Sequence, residues 1–465
     1  MEKFIFNQKS KIDLPLDKDF SPIIMGNIAY EKALKKTDNP VLIRFAIERG
    51  ENQVSMTESY IFNDIYQQEE ANFIYIERLI KTILWIKGGY KIYFAGHSKL
   101  GQRIKDSYQK GGLRDFDQDF MSKVYEKPFE VKLVNLEEVP MTEETSKSIG
   151  RHLNGSRIGF DAGGSDRKVS SVVDGKAIFS EEVIWHPKEE SDPNYHYQGI
   201  MDSLKRAASK LERVDAIGVS SAGIFINNRV AVASLFRKVP QELFDKDVRD
   251  LYYKIQKEFN NVPIEVINDG DVTALAGSMS LESNRVLGIA MGTSQAAGYV
   301  NALGNITGWL NELSFVPVDY NPNAPVDEWS HDYGVGVNYF SQDAVIKLAK
   351  AANIHLDESL SPAEKLKFIQ GLAEKDDALA LEIFKTIGVY LGYSIAYYAQ
   401  FYDISHVLIL GRVTSGIGGI KILEYTNKVL NETFTELANQ ISVNLPDEKS
   451  RRVGQSIAAA SLPKI

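Results

Sequence analysis

An aspartate followed by two glycines and a hydroxyl lies between two apolar runs near residue 160. The motif is Asp161-Ala-Gly163-Gly164-Ser165, and the runs at 157–160 and 169–173 have the composition of β-strands. Glycines let the backbone approach a ligand closely, and successive N–H groups in a tight turn form a concave site for anions. The motif predicts a strand–turn–strand unit that binds phosphate, with Asp161 holding a metal ion directly or through water. An ordinary β-turn is the alternative for this motif alone.

A second acidic residue stands at the end of a predicted strand. Asn268-Asp269-Gly-Asp271 follows the apolar run 263–267 and precedes residues 272–279, which have helical composition. Ligands of α/β proteins bind at the edge where such strands end. We expect Asp271 to cap the following helix, because Asp is a favoured N-cap residue. Asp269 is then not needed as a helix cap, which makes it the candidate general base.

Three more glycine-containing turns follow predicted strands. They are Ser220-Ser221-Ala-Gly223 after 214–219, Gly292-Thr293-Ser294 between 286–291 and 296–300, and Gly411-Arg-Val-Thr414-Ser-Gly416 after 407–410. The chain contains neither a Walker A motif nor a dinucleotide-binding fingerprint. Any phosphate site is therefore expected to use a different arrangement of glycine turns.

Composition excludes several classes of function. The 465 residues predict two or three domains. The net charge of −9 argues against binding to nucleic acid or to an anionic membrane surface. Without cysteine there are no disulfides, thiolate zinc sites, iron–sulfur clusters or cysteine nucleophiles. The first twenty residues lack the apolar centre of a secretory signal, which predicts a cytoplasmic protein.

A few other segments have two interpretations. The apolar residues 378–402, with tyrosines at 390, 393, 397 and 398, predict a core helix, and a homodimer interface is the alternative. His186 and His196 lie in a polar stretch that predicts a solvated loop rather than a metal site. His97, after a predicted strand, is expected to be structural rather than catalytic.

In this order, the motifs resemble the sugar-kinase/actin/heat-shock-chaperone superfamily, and within it the ROK family of sugar kinases and related regulators. The resemblance covers roughly two thirds of the chain. DAGGS resembles the first phosphate loop, INDGD the segment with the catalytic aspartate, and GTSQAAG the second phosphate loop. VSSAG resembles the strand-and-glycine segment, GWLNEL at 308–313 the sugar-contacting segment, and LILGRVTSGIGG at 408–419 the adenosine loop.

The resemblance implies an α/β fold with two ribonuclease H-like lobes, the actin-like ATPase fold, around a nucleotide cleft. The lobes would comprise residues 151–268 and 269–449, with the C-terminal helix 450–465 returning to the first lobe. A mixed α/β segment of unknown role, residues 1–150, would precede them. The polar stretch 138–152, which contains a proline and a glycine, predicts the boundary between that segment and the first lobe.

The resemblance also implies ATP-dependent phosphoryl transfer to a hydroxyl of a sugar or polyol. Asp269 would be the general base, and Asn268, Glu312 and Gly223 would contact the substrate. Asp161 would hold Mg²⁺ directly or through water. The residues expected to bind ATP are Asp161, Gly163, Gly164, Ser165, Gly292, Thr293, Ser294, Gly411, Thr414 and Gly416.

Several residues depart from the family pattern. Ser165-Asp166-Arg167 replaces threonine and lysine, and Ser314-Phe315 replaces glycine and histidine. The family's cysteine-rich zinc module is absent, so no structural zinc is expected. Residues 317–340 stand in its place, and the charges of 327–332 predict a solvated loop rather than a metal site. These departures leave an alternative function: a non-catalytic sugar- or nucleotide-sensing protein.

Overall fold

The computed structural model describes residues 5–144, 148–446 and 448–465. Residues 5–144 form a five-stranded sheet in the order β4-β3-β1-β2-β5, in which β3 and β4 are parallel. Its strands are β1 (Val41–Gly50), β2 (Gln53–Ile61), β3 (Lys91–Ala95), β4 (Glu130–Leu133) and β5 (Glu143–Glu144). Its helices are α1 (Ile23–Leu34), α2 (Glu69–Lys87), α3 (Ser98–Ser107) and α4 (Asp115–Tyr125).

The first lobe is built on a sheet in the order β12-β9-β6-β7-β8. Strands β6, β9 and β12 are parallel, and β7 and β8 are antiparallel neighbours, the strand order of ribonuclease H-like folds. Its strands are β6 (Ser156–Ala162), β7 (Asp166–Val173), β8 (Lys176–Ile184), β9 (Ala216–Ser221), β10 (Ile224–Ile226), β11 (Arg229–Val232) and β12 (Ile264–Asn268). Its helices are α5 (Pro193–Ala208), α6 (Gln241–Leu243) and α7 (Leu251–Glu258).

The second lobe repeats this topology with one strand fewer. Its sheet has the order β14-β13-β15-β16, where β13, β15 and β16 are parallel. Its strands are β13 (Val286–Met291), β14 (Gln295–Val300), β15 (His406–Leu410) and β16 (Ser442–Asn444). The remaining helices are α8 (Asp269–Ser280), α9 (Gln342–Ala351), α10 (Pro362–Ala373), α11 (Ala378–Tyr398), α12 (Gly416–Thr433), α13 (Thr435–Ala438) and α14 (Glu448–Ala460).

Helix α14 crosses the first-lobe sheet over β6 and β9. Two glycines allow this approach. A Cβ on Gly159 would lie 2.1 Å from the carbonyl oxygen of Ser456, and a Cβ on Gly218 only 1.6 Å from that of Ala459. Helix α14 also packs against α8. Its assignment to the first lobe and the division of the chain into domains at 150 and 268 stay predictions.

Helix α11 is the core of the second lobe. Nearly all its side chains after Phe384 are buried, and it packs along α12. A Cβ on Gly388 would lie 2.6 Å from the carbonyl oxygen of Ile422, so glycine permits the close crossing. Within the described residues, α11 alone is long and apolar enough to cross a membrane. Its burial between neighbouring helices is instead the core packing that the sequence predicts.

Residues 5–144 and the second lobe share one hydrophobic core. Trp85 of α2 packs against Phe315, with ring centroids 4.3 Å apart, and Thr82 shares a 2.8 Å hydrogen bond with Tyr397 of α11. The end of α4 also reaches the first lobe, where the Glu126 carboxylate pairs with Arg229 and Arg249. The N-terminal segment therefore contacts both lobes.

A buried cluster of charges lies where α2 meets the segment 317–340. The Asp332 carboxylate is 2.5 Å from Arg78, 2.7 Å from Arg114 and 3.1 Å from Lys81. Glu77 and Asp117 supply two more carboxylates, so three cations meet three anions. Asp327 and Asp332 are both buried, so the prediction of a solvated loop over 327–332 is wrong. The loop looked solvated because its cationic partners are more than 200 residues away in sequence.

Candidate functional site

Asp161 lies at the carboxyl end of β6, where β9 also ends. Ser220, its register partner on β9, donates a hydrogen bond from Oγ to Asp161 Oδ1 (2.9 Å). Burial raises the pKa of Asp161 to about 6, although the Ser220 hydroxyl lowers it. The negative charge of Asp269 raises this pKa further. The two carboxylates therefore lie close enough to interact across the strand ends.

Asp269 is the first residue of α8, directly after β12. Burial raises its pKa, whereas the N–H of Gly270 and the positive charge of Lys188 lower it. A half-buried carboxylate with a raised pKa at a helix start has the properties of a general base. It also sits where the helix N–H groups stabilise its charged form.

The cap of α8 differs from the sequence prediction. Asn268 caps the helix, since its Oδ1 accepts a hydrogen bond from the Gly270 N–H (2.8 Å). The prediction that Asp271 is the N-cap is wrong. The Asp271 carboxylate instead accepts hydrogen bonds from the N–H of Tyr299 and the amide of Asn311, each 2.9 Å long. These bonds join α8 to β14 and to the segment that carries Glu312.

Gly223 is held in place by its neighbours. The Asn268 side-chain amide donates to the Gly223 carbonyl oxygen (2.7 Å). Gly223 has a φ of +138°, and a Cβ there would lie 2.5 Å from the carbonyl oxygen of Val232. Packing against β11 is thus sufficient reason for glycine at 223. Asn268 keeps one N–H and one lone pair for a ligand, by the bonding capacity of an amide.

Glu312 lies within electrostatic reach of Asp269. Burial raises the pKa of Glu312 to about 7, the Ser314 hydroxyl lowers it, and the charge of Asp269 raises it. The backbone around Glu312 is fixed by the N-terminal segment: the N–H of Glu312 donates to Trp85 O (3.0 Å), and that of Asn311 donates to Ile86 O (2.9 Å). The end of α2 therefore positions Glu312. No sequence pattern indicates this contact.

Phe315 points into the core of the N-terminal segment. Its ring packs against Trp85, Phe116 and Phe120, with centroids 4.3, 5.5 and 6.3 Å apart. The family's histidine at this position is thus replaced by a core side chain. Hydrogen-bonding groups on this side of the site come from Glu312 and its neighbour Ser314.

The first predicted phosphate loop, residues 163–165, joins β6 to β7. Trp185 ties it down: its indole N–H donates to the Gly163 carbonyl (2.8 Å), and its backbone N–H donates to the Ser165 carbonyl (3.1 Å). A Cβ on Gly164 would lie 2.8 Å from both Cε and Nζ of Lys188. The end of the lysine side chain therefore lies across the loop at Gly164.

The charged residues directly after this loop have partners of opposite charge nearby. Asp166 forms a 3.2 Å ion pair with Lys168 on the same strand. Arg167 donates to Ser203 Oγ (2.9 Å) and pairs with Asp202 (3.2 Å), both on α5. The two residues that depart most from the family's loop are therefore neutralised locally.

The second and third predicted loops lie together because β13 and β15 are parallel neighbours. Gly292 closes the β13–β14 turn by donating to the Ser294 carbonyl (2.9 Å), and Thr293 and Ser294 are exposed. Gly411 has a φ of +96°, and a Cβ there would lie 2.2 Å from the carbonyl oxygen of Met291. The end of β13 and the start of the third loop are thus in contact.

The third loop leads into α12. The Thr414 hydroxyl is buried and donates to the Gly411 carbonyl (2.8 Å), so it stabilises the turn. Gly416 has a φ of +66° and begins α12. The Glu374 carboxylate lies beside it and accepts a hydrogen bond from the Ile417 N–H (2.8 Å). An anion therefore already occupies part of this helix N-terminus.

Asp161 suits a hydrated magnesium ion. One carboxylate oxygen is bonded to Ser220, and the other has no hydrogen-bond partner among the described residues. Those residues contain no group of three or more His, Cys, Asp or Glu side chains arranged to hold a metal. Mg²⁺ commonly takes one or two carboxylates and completes its shell with water and substrate phosphates. The donor set of this site fits that mode.

Two of the histidines, His97 and His196, have structural roles. His97 caps α3, accepting a hydrogen bond at Nδ1 from the Leu100 N–H (3.1 Å), as predicted. His196 is fully buried between the carbonyl groups of Pro187 and Leu235. The prediction of a solvated loop is therefore wrong for His196, which fixes the backbone next to Lys188. No sequence pattern indicates Lys188, because nothing in its spacing links it to the loop more than 20 residues earlier.

No protein-family model and no curated protein sequence matches this chain. Solved structures do. A ROK family transcriptional regulator, described as a homologue of the E. coli MLC protein, superposes with a TM-score of 0.53 at 17% identity, over 67% of this chain and 79% of that one. The ROK hexokinase from Thermus thermophilus superposes with a TM-score of 0.51 at 17% identity, over 65% of this chain and 97% of that one.

These structures establish the fold. The chain has the fold of ROK-family sugar kinases, an α/β fold of the actin-like ATPase type, which confirms the fold predicted from the ordered motifs. At this level of identity the likeness extends to the fold and not to the activity. One of the two proteins is a kinase and the other a regulator, so the chemistry of this chain has to be argued from its own residues.

Proposed function

We propose that this ROK-like fold carries out ATP-dependent phosphoryl transfer to a hydroxyl of a sugar or a sugar-like polyol. The observation that supports it most is the meeting of three carboxylates from both lobes. Asp161, Asp269 and Glu312 all have raised pKa values, and the charge of Asp269 acts on the other two. Raised pKa values are concentrated at functional sites.

Asp269 accepts the proton of the acceptor hydroxyl. As the hydroxyl oxygen attacks the terminal phosphorus atom of ATP, the bond from that phosphorus to the bridging oxygen breaks, and ADP leaves. The proton ends on the Asp269 carboxylate. Phosphoryl transfer needs in-line positioning and charge stabilisation more than covalent chemistry from the protein.

The nucleotide is held by the glycine loops. Backbone N–H groups of 163–165 and 292–294 bind its phosphates, and residues 411–416 contact the adenosine. Mg²⁺, when bound at Asp161, neutralises charge on the phosphates. The position of Gly411 beside the Met291 carbonyl supports this assignment, because it brings the third loop next to the end of β13, where 292–294 begin.

Glu312 and the free bonding capacity of Asn268 hold neighbouring hydroxyls of the acceptor, next to the Gly223 turn. Because α2 fixes the backbone of Glu312, the N-terminal segment is part of the substrate-binding side of the site. With Phe315 turned into the core, we expect weaker selectivity among sugars than a further hydrogen-bonding side chain would give.

A coupled assay of ADP release against hexoses, amino sugars and polyols tests the proposal. We expect ADP release to depend on one class of acceptor. ADP formed at the same rate with and without every acceptor would contradict it, as would none formed at all.

The replacement of the family's histidine by the core residue Phe315 favours a second candidate function, a sugar- or nucleotide-sensing protein without catalysis. This candidate predicts that a sugar or nucleotide raises the thermal unfolding midpoint while no ADP appears. The same panel of acceptors therefore separates the two functions when both signals are recorded.

A further inference from the structure

We propose that Lys188 binds the terminal phosphate of the nucleotide and stays on the phosphoryl group during its transfer. The inference rests on the nucleotide cleft of the proposed function and adds a phosphate-binding cation to it. Lys188 lies outside every motif that marks the loops. Its position between the first loop and Asp269 carries the inference.

Two observations locate the ammonium group. Its Nζ lies 2.8 Å from the place of a Cβ on Gly164, so it covers the middle of the first loop. Its positive charge also acts on the Asp269 carboxylate. The ammonium therefore lies against the first loop and within electrostatic reach of Asp269, the two groups between which a transferred phosphoryl group has to pass.

The ammonium is free to bind a ligand. Within the described residues, no hydrogen bond or ion pair is made by the Lys188 ammonium, although the side chain is half-buried. Lys168, the nearest lysine of the loop itself, is paired with Asp166. When a ligand fills the cleft and excludes water, this ammonium needs an anionic partner. Terminal phosphate oxygens satisfy that requirement with charge-assisted hydrogen bonds.

The backbone that carries Lys188 is fixed on three sides. Trp185 is bonded to the carbonyls of Gly163 and Ser165, so the two segments move together. The buried His196 ring bonds the Pro187 carbonyl (2.9 Å), and Arg237 donates to the Lys188 carbonyl (3.2 Å). The chain therefore places a flexible cation on a rigid support, which favours precise phosphate binding.

The arrangement also explains the charge balance of the site. Asp161, Asp269 and Glu312 repel the phosphates of ATP, and Asp166 and Arg167 are already paired. A lysine that reaches in from the turn 187–189, after β8, offsets this repulsion without adding a side chain to the loop. During transfer, negative charge on the phosphoryl oxygens stays within reach of the same ammonium.

Titration calorimetry with Mg²⁺ and the non-hydrolysable analogue AMPPNP, and separately with AMP, tests the proposal on the full chain. For Lys188→Met, we expect AMPPNP affinity to fall roughly 10- to 100-fold, as for loss of a charge-assisted hydrogen bond, while AMP affinity stays within about twofold. Lys188→Arg should recover most of the loss. The exposed Lys210→Met, in the same lobe, is the matched control and should bind both nucleotides like the wild type.

The outcomes separate this inference from the proposed function. Unchanged AMPPNP affinity in Lys188→Met would overturn the role of Lys188 and leave the kinase proposal intact. An equal loss for AMP and AMPPNP would also overturn it, because the effect would not be specific to the terminal phosphates. The expected loss in a protein that phosphorylates no acceptor would support Lys188 and refute the kinase. Wild type that binds no nucleotide would overturn both.

Discussion

Replacing Asp332 with Asn should loosen the N-terminal segment from the second lobe. The substitution keeps the shape of the side chain and removes one charge from a balanced set of three cations and three anions. Arg78, Lys81 and Arg114 would then face only two carboxylates in a buried place. Removing one partner of a buried ion pair costs about 3–5 kcal/mol, because the remaining charges are uncompensated.

Hydrogen exchange with mass spectrometry measures this effect region by region, which suits a chain of several domains. If the free energy of local opening falls by about 3–5 kcal/mol, amide hydrogens in α2 and in residues 316–340 should exchange faster by a factor of about 10² to 10³ or more. The first-lobe strands β6 and β9 should keep their protection. Glu328→Gln, an exposed position in the same loop, removes the same charge and is the matched control. Unchanged protection of α2 in Asp332→Asn would refute the reasoning, as would an equal loss in β6 and β9.

Two other substitutions test the site and the fold. The raised pKa of Glu312, about 7, means that the fold favours its protonated form, so stability is lost as pH rises from about 4.5 through 7. Glu312→Gln mimics the protonated group. We expect this variant to be more stable than the wild type by about 3 kcal/mol at pH 8 and equally stable at pH 4, and to bind sugar more weakly. Unfolding midpoints of variant and wild type that change in parallel with pH would contradict this expectation. Gly218→Ala should displace α14 and cost about 1–3 kcal/mol, because the new Cβ would lie 1.6 Å from the Ala459 carbonyl. Gly371→Ala, on the open face of α10, should be neutral or stabilising, and equal unfolding midpoints for the two alanine variants would contradict the packing argument.

The sequence predicts the parts of the site that depend on local structure. A glycine turn after an apolar strand forms by local steric rules. The turns at Asp161, Gly292 and Gly411 can therefore each be predicted from their own local sequence. Their meeting at the strand ends follows from parallel pairing, as with β6, β9 and β12. The fold was predictable for the same reason: the order of the motifs restricts the topology.

The rest depends on contacts between distant residues. Lys188 reaches the first loop only because His196 and Trp185 fix its backbone, and Glu312 is positioned by carbonyl groups of α2 more than 220 residues earlier. The charges of 327–332 look solvated until Arg78, Lys81 and Arg114 are brought to them. The bond by which Asn268 caps α8 joins residues that are neighbours in sequence. The bonds that Asp271 accepts from Tyr299 and Asn311 join residues far apart in sequence, so the sequence does not indicate them.

If Asp269 is the general base, the Asp269→Asn variant should lose turnover. The variant keeps the size and the backbone of the residue but has no basic carboxylate. With the acceptor identified by ADP release, we expect kcat to fall by about 10²- to 10⁴-fold, the usual contribution of a general base, while the affinity for AMPPNP is retained. Turnover by Asp269→Asn at the wild-type rate would contradict the account.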